Sequence, residues 1–226
     1  KNYDKAYYVE PSLFEINYKS KGYRNGNLYA ATIADGLWLS KDNKYNWKQG
    51  FKRNYNDILQ IQYQFVKRVD VDKKDTINLP YSNEFRHEIV GQYFLNFEID
   101  KLQNLMKYKD AKVSGFIISE TDGIQKIKFD IISTSLFHIK GFLDYDVKNK
   151  AIAYIETNFY QDKYPIMDKI SIDGEKYQMK AGDVKRVNSF YLNEGKYIPS
   201  LFSISTDNFI TIKNGERSVT KSATQF

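Results

Sequence analysis

The sequence predicts a mainly antiparallel β fold of the α+β class, in which a strongly curved meander sheet or half-barrel packs against one or two helices. Three observations lead to this prediction. Apolar and polar residues alternate with period two in several segments, turn dipeptides separate these segments, and 16% of the 226 residues are aromatic. Alternation places one set of side chains on the core face of a strand and the other set in solvent. The 19 Tyr and 15 Phe suit such half-buried surfaces.

The clearest alternation runs through Ile61 to Phe65, Ile127 to Ile131 and Ile139 to Val147. Each segment is predicted to be a strand with one apolar face. In the third segment the predicted apolar face holds Ile139, Leu143, Tyr145 and Val147, and the predicted polar face holds Lys140, Asp144 and Asp146.

Tight turns are predicted between the strands. Asp122-Gly123, Asp173-Gly174 and Asn214-Gly215 are dipeptides that tolerate positive φ, and Asn149 is expected to do the same between Val147 and Ala151. Sequential strands joined by such turns form antiparallel hairpins.

Further strands are predicted on both sides of this central region. Ala151 to Tyr160 is apolar on both alternating sets, which predicts a central strand covered on two sides. The meander is expected to continue through Ser189 to Leu192, a turn at Asn193-Glu194-Gly195, Tyr197 to Ser203 and Phe209 to Lys213. Leu28 to Leu39, with Gly36 inside it, predicts a strand pair or one bulged strand.

One stretch departs from the period of two, from Glu84 to about Lys109. Phe85, Ile89 and Tyr93 are spaced four apart, and Ile99, Leu102, Leu105 and Met106 recur at helical spacing. This spacing predicts one or two amphipathic helices that lie against a face of the sheet.

Composition favours a single folded domain over residues 1–226. Hydrophobic residues make up 42% and charged residues 27% of the chain, which is enough apolar material for a core. The nearest approach to a break is a polar excursion from Lys67 to Asn83. Because the first residue is Lys1, we expect a fragment of a longer protein, and no apolar run approaches the roughly 18 residues of a membrane span.

The net charge of +6 does not predict nucleic-acid binding. Lysines alternate with apolar residues, as in Ile127-Lys128-Phe129-Asp130-Ile131, which is typical of a solvated strand face.

Residues that carry common catalytic or metal chemistry are scarce. The chain has no Cys and two His, which excludes disulfides, zinc-thiolate sites and thiol catalysis. His87 and His138 are interpreted as structural or surface residues. The sequence contains no nucleophile elbow, glycine-rich phosphate loop or His-Glu-x-x-His motif. We therefore expect a protein that is not an enzyme and needs no cofactor or metal.

Two groups of acidic residues are candidates for a metal site or a catalytic site. Asp70, Asp72 and Asp75 resemble a calcium loop, but Lys74 and Asp75 occupy positions where that loop needs a ligand and a Gly. Asp144 and Asp146, with Glu156 on a neighbouring strand, are candidates for acid and base in glycoside hydrolysis. Cross-strand ion pairs on a lysine-rich face are the favoured interpretation of these three carboxylates.

The apolar strand faces and the two tryptophans have a core interpretation and a ligand interpretation. Filling the protein's own core is favoured over enclosing a hydrophobic ligand. Trp38 and Trp47 are likewise interpreted as core or rim residues rather than sugar platforms, with Trp47 in a polar setting.

The order of short motifs resembles a known family. These motifs are Asn2-Tyr3, Tyr7-Tyr8, Tyr23-Arg24, Tyr93-Phe94-Leu95-Asn96, Tyr108, Val113-Ser114-Gly115, Ile127-Lys128-Phe129 and, above all, Gly141-Phe142-Leu143-Asp144-Tyr145-Asp146 followed by Ala151-Ile152. Together they resemble the region that follows the carboxypeptidase-regulatory-like β-sandwich in many cell-envelope proteins of Bacteroidota. Such regions are similar in architecture to the outer-membrane lipoprotein carrier fold, which holds an acyl chain within a curved antiparallel sheet. The resemblance implies a periplasmic or surface location and no catalytic residue.

The predicted fold and the resemblance lead to three hypotheses of function. The leading one is a non-enzymatic cell-envelope module that binds a hydrophobic ligand or lipid in a curved-sheet groove. The second is a protein-interaction or scaffold domain of an envelope assembly, which predicts an exposed apolar or aromatic patch. The third is a glycan-active enzyme acting through Asp144, Asp146 or Glu156.

Overall fold

The computed structural model describes residues 3–40, 58–68, 95–171 and 173–225, with residues 58–68 described by their backbone. Two helices and twelve strands lie in these ranges. They are α1 (Tyr3–Ala6), β1 (Ser12–Arg24), β2 (Asn27–Ser40), β3 (Ile58–Arg68), α2 (Leu95–Leu105), β4 (Ala111–Thr121), β5 (Ile124–Ser133), β6 (His138–Asp146), β7 (Ala151–Tyr160), β8 (Met167–Ile170), β9 (Lys176–Lys180), β10 (Asp183–Asn193), β11 (Lys196–Lys213) and β12 (Glu216–Gln225).

The strands form one open antiparallel sheet. Ten of them lie in the order β3-β2-β1-β12-β11-β10-β7-β6-β5-β4, while β9 pairs with β11 and β8 pairs with β9. Every pairing between these strands is antiparallel. The predicted antiparallel β class is therefore confirmed.

The strands predicted from alternation are present. Residues 61–65 lie in β3, residues 127–131 lie in β5, and residues 139–146 lie in β6. Ala151–Tyr160 is a strand with the predicted bounds, and its place between β6 and β10 makes it central. The segment Leu28 to Leu39 lies in one strand, β2, and its pairing with β1 skips Tyr29, as expected for a bulged strand.

The turns also follow the prediction, with one correction. Asp122-Gly123 and Asn214-Gly215 have positive φ at both residues. At the turn after β6, however, Lys150 adopts positive φ (52°) in place of Asn149. Asn149 instead donates from its backbone N–H and its side-chain amide to the carboxylate of Asp146. These two hydrogen bonds stabilise the turn.

Helix α2 covers part of the predicted helical stretch. It spans Leu95–Leu105 and buries Leu95, Phe97 and Leu102, which agrees with an amphipathic helix. Residues 84–94 of the predicted stretch lie outside the described residues. The chain turns after Leu105 and enters β4 at Ala111.

The core lies where α1, α2 and the middle strands meet. Its buried members come from both helices and from six strands or their connections: Ala6, Tyr7, Trp38, Leu95, Phe97, Leu102, Ile131, Phe137, Ile139, Ala151, Ile155, Phe159, Phe190, Tyr197 and Phe202. Aromatic rings are stacked or set edge to face, as between Phe137 and Phe159 at 5.6 Å and between Tyr7 and Phe190 at 5.3 Å. The favoured interpretation of the apolar strand faces, that they fill the protein's own core, agrees with this packing.

The segment after α1 is fixed to the sheet by Tyr7. Its hydroxyl donates to the carbonyl of Ile152 and accepts from the N–H of the same residue, at 2.8 Å and 2.6 Å. Tyr7 also forms a parallel bridge with Tyr197, and the N–H of Tyr8 donates to the Tyr197 carbonyl at 3.0 Å. These contacts join the first described residues to β7 and β11.

Candidate functional site

Asp146 does not lie on the polar face predicted for it. Its carboxylate is buried and accepts hydrogen bonds from Asn149 and from the Tyr197 hydroxyl, the latter at 2.8 Å. Burial raises the pKa of this carboxyl, but these hydrogen bonds together outweigh it and hold the pKa below its usual value. The strand ends at Asp146, and a register shift in the β6–β7 pair lies between Asp144 and Tyr145.

Glu156 forms the cross-strand ion pair that was expected. Its Oε1 lies 2.8 Å from Nζ of Lys185 on β10. Tyr154 and Asn158 also donate to its carboxylate. Burial raises the pKa of Glu156, and the bonds from Lys185, Asn158 and Tyr154 outweigh it, so the pKa lies below its usual value.

The three candidate carboxylates are thus engaged in different ways. Asp144 pairs in register with Tyr154, while Glu156 lies opposite Phe142. Asp146 stabilises a turn and Glu156 neutralises a lysine. A general acid needs a raised pKa, and the pKa values of Asp146 and Glu156 are both shifted in the opposite direction.

His138 has structural partners. Its Nε2 lies 3.0 Å from Oδ1 of Asp130 on β5, and its ring packs 5.9 Å from that of Tyr160. His87 lies outside the described residues, as do the acidic residues 70, 72 and 75. Within the described ranges, no group of three or more His, Asp or Glu is arranged to hold a metal ion.

Trp38 is a core residue, as predicted. It is 5% exposed and packs between Phe14, at 5.4 Å, and Phe202, at 6.1 Å between ring centroids. Trp47 lies outside the described residues.

The most conspicuous surface of the molecule is the end strand β4. Residues 112–121 are all exposed, so neither face of the strand is covered. Four apolar side chains on it are between 46% and 57% exposed: Val113, Phe116, Ile117 and Ile118. β5 pairs with one edge of β4, and for the other edge no partner strand occurs among the residues described here. A long, exposed apolar edge strand readily pairs with another strand.

Two further properties of β4 bear on such pairing. The pairing with β5 skips Ile118, so that Ile118 forms a bulge between Ile117 and Ser119. Near the two ends of the strand lie opposite charges, Lys112 and Glu120. Glu120 accepts a 2.8 Å hydrogen bond from Gln125, its pairing partner on β5.

A separate open groove lies beside the hairpin of β8 and β9. Its volume is about 830 Å³, and it is lined by Asp168, Lys169, Ile170, Lys176, Tyr177, Gln178, Ile212, Asn214 and Gly215. Ile170 is 66% exposed at its rim, whereas Tyr177 is buried. The lining of the groove therefore combines apolar side chains with Lys169, Lys176 and Asp168.

Sequence reasoning missed both of these surfaces. The run Phe116-Ile117-Ile118 was the available signal for β4, since three consecutive apolar residues cannot all face one core from a strand. No pattern in the sequence indicates the groove, because the groove forms only when the β8–β9 hairpin pairs with β11.

Comparison of the chain with protein-family models, curated proteins and solved structures finds no match in any of the three. In the described part of the chain, no helix has the length and apolar character needed to cross a membrane.

Proposed function

We propose that this chain is a non-enzymatic interaction module that assembles with a second copy of itself through the exposed edge of β4. The observation that carries the proposal is the exposure of Val113, Phe116, Ile117 and Ile118 on a strand whose residues 112–121 are uncovered on both faces. Exposed apolar edges are costly to maintain in solution, and pairing with another strand removes that cost.

The apolar residues of β4 support a second copy as the partner. Two antiparallel copies related by a two-fold axis at Phe116 place the Phe116 rings of the two copies directly opposite each other. Gly115 of each copy then lies opposite Ile117 of the other, so the apolar edge faces itself. Aromatic and β-branched side chains directly across two strands stabilise such a pair.

The proposal is tested by sedimentation-velocity ultracentrifugation over a range of protein concentrations. We expect the unaltered chain to show a concentration-dependent dimer. The double variant Phe116→Ser/Ile117→Lys is expected to stay monomeric, because it places a charge on the edge and removes apolar area. Ile166→Ser is the matched control, since Ile166 is 51% exposed away from β4.

Position 116 makes the test specific for the two-fold register. Phe116→Lys alone should abolish the dimer, because the two lysines then lie opposite each other. An equal mixture of Phe116→Lys and Phe116→Glu chains should form a heterodimer. A chain that is monomeric at all concentrations, or a dimer that these substitutions leave unchanged, would refute the proposal.

The groove beside β8 and β9 favours a second candidate function, the binding of a lipid with an anionic head group. Ile170 and Tyr177 offer an apolar lining, and Lys169 and Lys176 in the same lining offer positive charge. Native mass spectrometry after gentle purification should then detect a bound acyl chain, and Ile170→Asp should abolish it. Recovery of the chain without lipid, together with no binding of added fatty acid, would refute this candidate.

The extracytoplasmic cell-envelope location stays a prediction based on the resemblance of the motifs. The strong curvature of the sheet and the single domain over residues 1–226 also stay predictions. An envelope location supports the lipid-binding candidate, because lipids are abundant there.

A further inference from the structure

Two Asn-Gly dipeptides form hairpin turns with the same backbone conformation. Asn25-Gly26 joins β1 to β2, and Asn214-Gly215 joins β11 to β12. The φ angles of the two residues are 48° and 82° in the first turn and 53° and 83° in the second. Positive φ at both central residues is typical of a two-residue type I′ hairpin. All four residues are exposed, so backbone geometry and exposure do not distinguish the two turns.

The side chain of Asn25 is held against a neighbouring strand. Its Oδ1 accepts a 2.8 Å hydrogen bond from the N–H of Val219 on β12. Its backbone N–H donates a second hydrogen bond of 2.8 Å to the Val219 carbonyl. The side-chain amide of Asn25 is therefore tied to β12, and moving it toward the nitrogen of Gly26 breaks a hydrogen bond.

The side chain of Asn214 has no such restraint. Among the residues that the structure describes, none forms a hydrogen bond with its side-chain amide. The space beside Gly215 is open, because a Cβ added there would have no heavy atom within 4 Å outside the two adjoining residues. The amide carbon of Asn214 is therefore free to approach the backbone nitrogen of Gly215.

An asparagine that precedes a glycine can react with the backbone of its own turn. The glycine nitrogen attacks the side-chain carbonyl carbon Cγ, the bond from Cγ to the amide nitrogen breaks, and ammonia leaves with the proton of the glycine nitrogen. The product is a five-membered cyclic imide. Water then adds to either carbonyl of the imide and opens the ring to aspartate or isoaspartate. Glycine favours ring closure because it has no side chain to obstruct its nitrogen.

We propose that Asn214 is a site of spontaneous deamidation, and that the hydrogen bond from Val219 protects Asn25 in the equivalent turn. The reaction adds one negative charge to the groove beside β8 and β9, because Asn214 belongs to its lining together with Lys169 and Lys176. The new carboxylate repels an anionic head group, a consequence that rests on the proposed lipid binding.

Peptide mapping measures both sites in one sample. The chain is incubated in warm, mildly alkaline buffer and cleaved after lysine, which places Asn25 and Asn214 in the peptides of residues 22–41 and 214–221. Tandem mass spectrometry then locates the carboxylate product. We expect Asn214 to react about fivefold faster than Asn25 in the folded chain, since the loss of one hydrogen bond of ordinary strength changes a rate by about this factor.

The same chain unfolded in urea is the matched control. Both asparagines follow a basic residue and precede a glycine, so the two rates should become nearly equal once Asn25 has lost its hydrogen bond. Equal rates in the folded chain, or a faster reaction at Asn25, would overturn the proposal. An Asn214 that stays intact in the folded chain and reacts only in urea would also overturn it, because the turn itself would then be protective.

The consequence for the groove is tested with Asn214→Asp, which reproduces the aspartate product. We expect it to bind oleate about twofold to fivefold more weakly than the unaltered chain, as for one exposed charge. Asn25→Asp adds the same charge outside the groove lining and should bind oleate as the unaltered chain does. Equal binding by all three chains would contradict this consequence. An unaltered chain that binds no oleate would refute the lipid candidate, while the peptide map would still decide whether Asn214 is the reactive site.

Discussion

The hydroxyl of Thr157 donates a 2.6 Å hydrogen bond to Oε1 of Glu98, which joins strand β7 to helix α2 inside the protein. Both residues are 2% exposed. The other oxygen of Glu98 lies 3.7 Å from Nε of Arg186 and 3.9 Å from Nζ of Lys101. One buried carboxylate thus faces two cations, and burial lowers the pKa of Lys101 despite the opposing effect of Glu98.

Removing this carboxylate should destabilise the fold strongly. Glu98→Ala removes the carboxylate that faces the partly buried Arg186 and Lys101, and we expect a loss of about 3–5 kcal/mol in the free energy of unfolding. Thr157→Val removes one hydrogen bond and should cost about 1–3 kcal/mol. Urea unfolding of both variants and of the double variant measures the coupling. A loss for Glu98→Ala no larger than that for Thr157→Val would contradict this account.

Gly141 is required because the ring of Phe129 covers it from the neighbouring strand. The two residues are paired in register between β5 and β6, and a Cβ added to Gly141 would overlap the ring. Gly141→Ala should therefore cost about 1–3 kcal/mol of stability through overpacking. Replacing the ring as well, in Gly141→Ala/Phe129→Leu, should cost less than the sum of the single variants. Additive urea-unfolding free energies would show that the two side chains do not compete for space.

Asp110 makes stability depend on acid pH. Hydrogen bonds from Ser133 and Ser135, with a further one from Thr134, lower its pKa from 3.8 to about 2. Because the folded-state pKa is depressed, the stabilisation is present above pH 3.8 and is lost as the pH falls toward 2. Asp110→Asn should flatten the loss of stability in this window. Carboxyl NMR titration of a Ser133→Ala/Ser135→Ala variant should show a higher pKa for Asp110, and an unchanged value would contradict the assignment.

Tyr197 makes stability depend on alkaline pH. Burial and the hydrogen bond to Asp146 raise its pKa from 10.0 to about 12. A raised folded-state pKa contributes stability that is fully present below pH 10 and is lost as the pH rises through 12. Tyr197→Phe should lower stability at neutral pH by about 1 kcal/mol and reduce the loss between pH 10 and 12. Urea unfolding midpoints measured across this pH range test the prediction. A loss of stability at alkaline pH equal to that of the unaltered chain would argue against this role of Tyr197.

Much of the sheet was predictable because its signals are local. Ile127 to Ile131 alternate with lysine and aspartate, and the observed strand β5 contains them. Asp122-Gly123 and Asn214-Gly215 turn where their backbone preferences allow. Each of these signals depends on neighbours within a few residues, so it can be seen without the fold.

The prediction of buried and exposed positions failed where the environment of a residue depends on contacts that local alternation does not show. Asp146 was placed on the polar face by alternation, yet it is buried because Tyr197 and Asn149 donate to it. β1 was not predicted, although Phe14, Ile16 and Tyr18 alternate with Glu15, Asn17 and Lys19. β12 has little apolar alternation, and its place in the sheet comes from pairing with β1 and β11.

Taken alone, the sequence determined the antiparallel class, most hairpins and an amphipathic helix, since alternation and turn chemistry act over a few residues. Only the tertiary structure decided which strands became neighbours. The hydroxyls of Ser20 and Thr224 lie 3.2 Å apart although 204 positions separate them in the chain. Backbone hydrogen bonds are nearly indifferent to side-chain identity, so the exposed edge of β4 follows from the packing of the whole sheet.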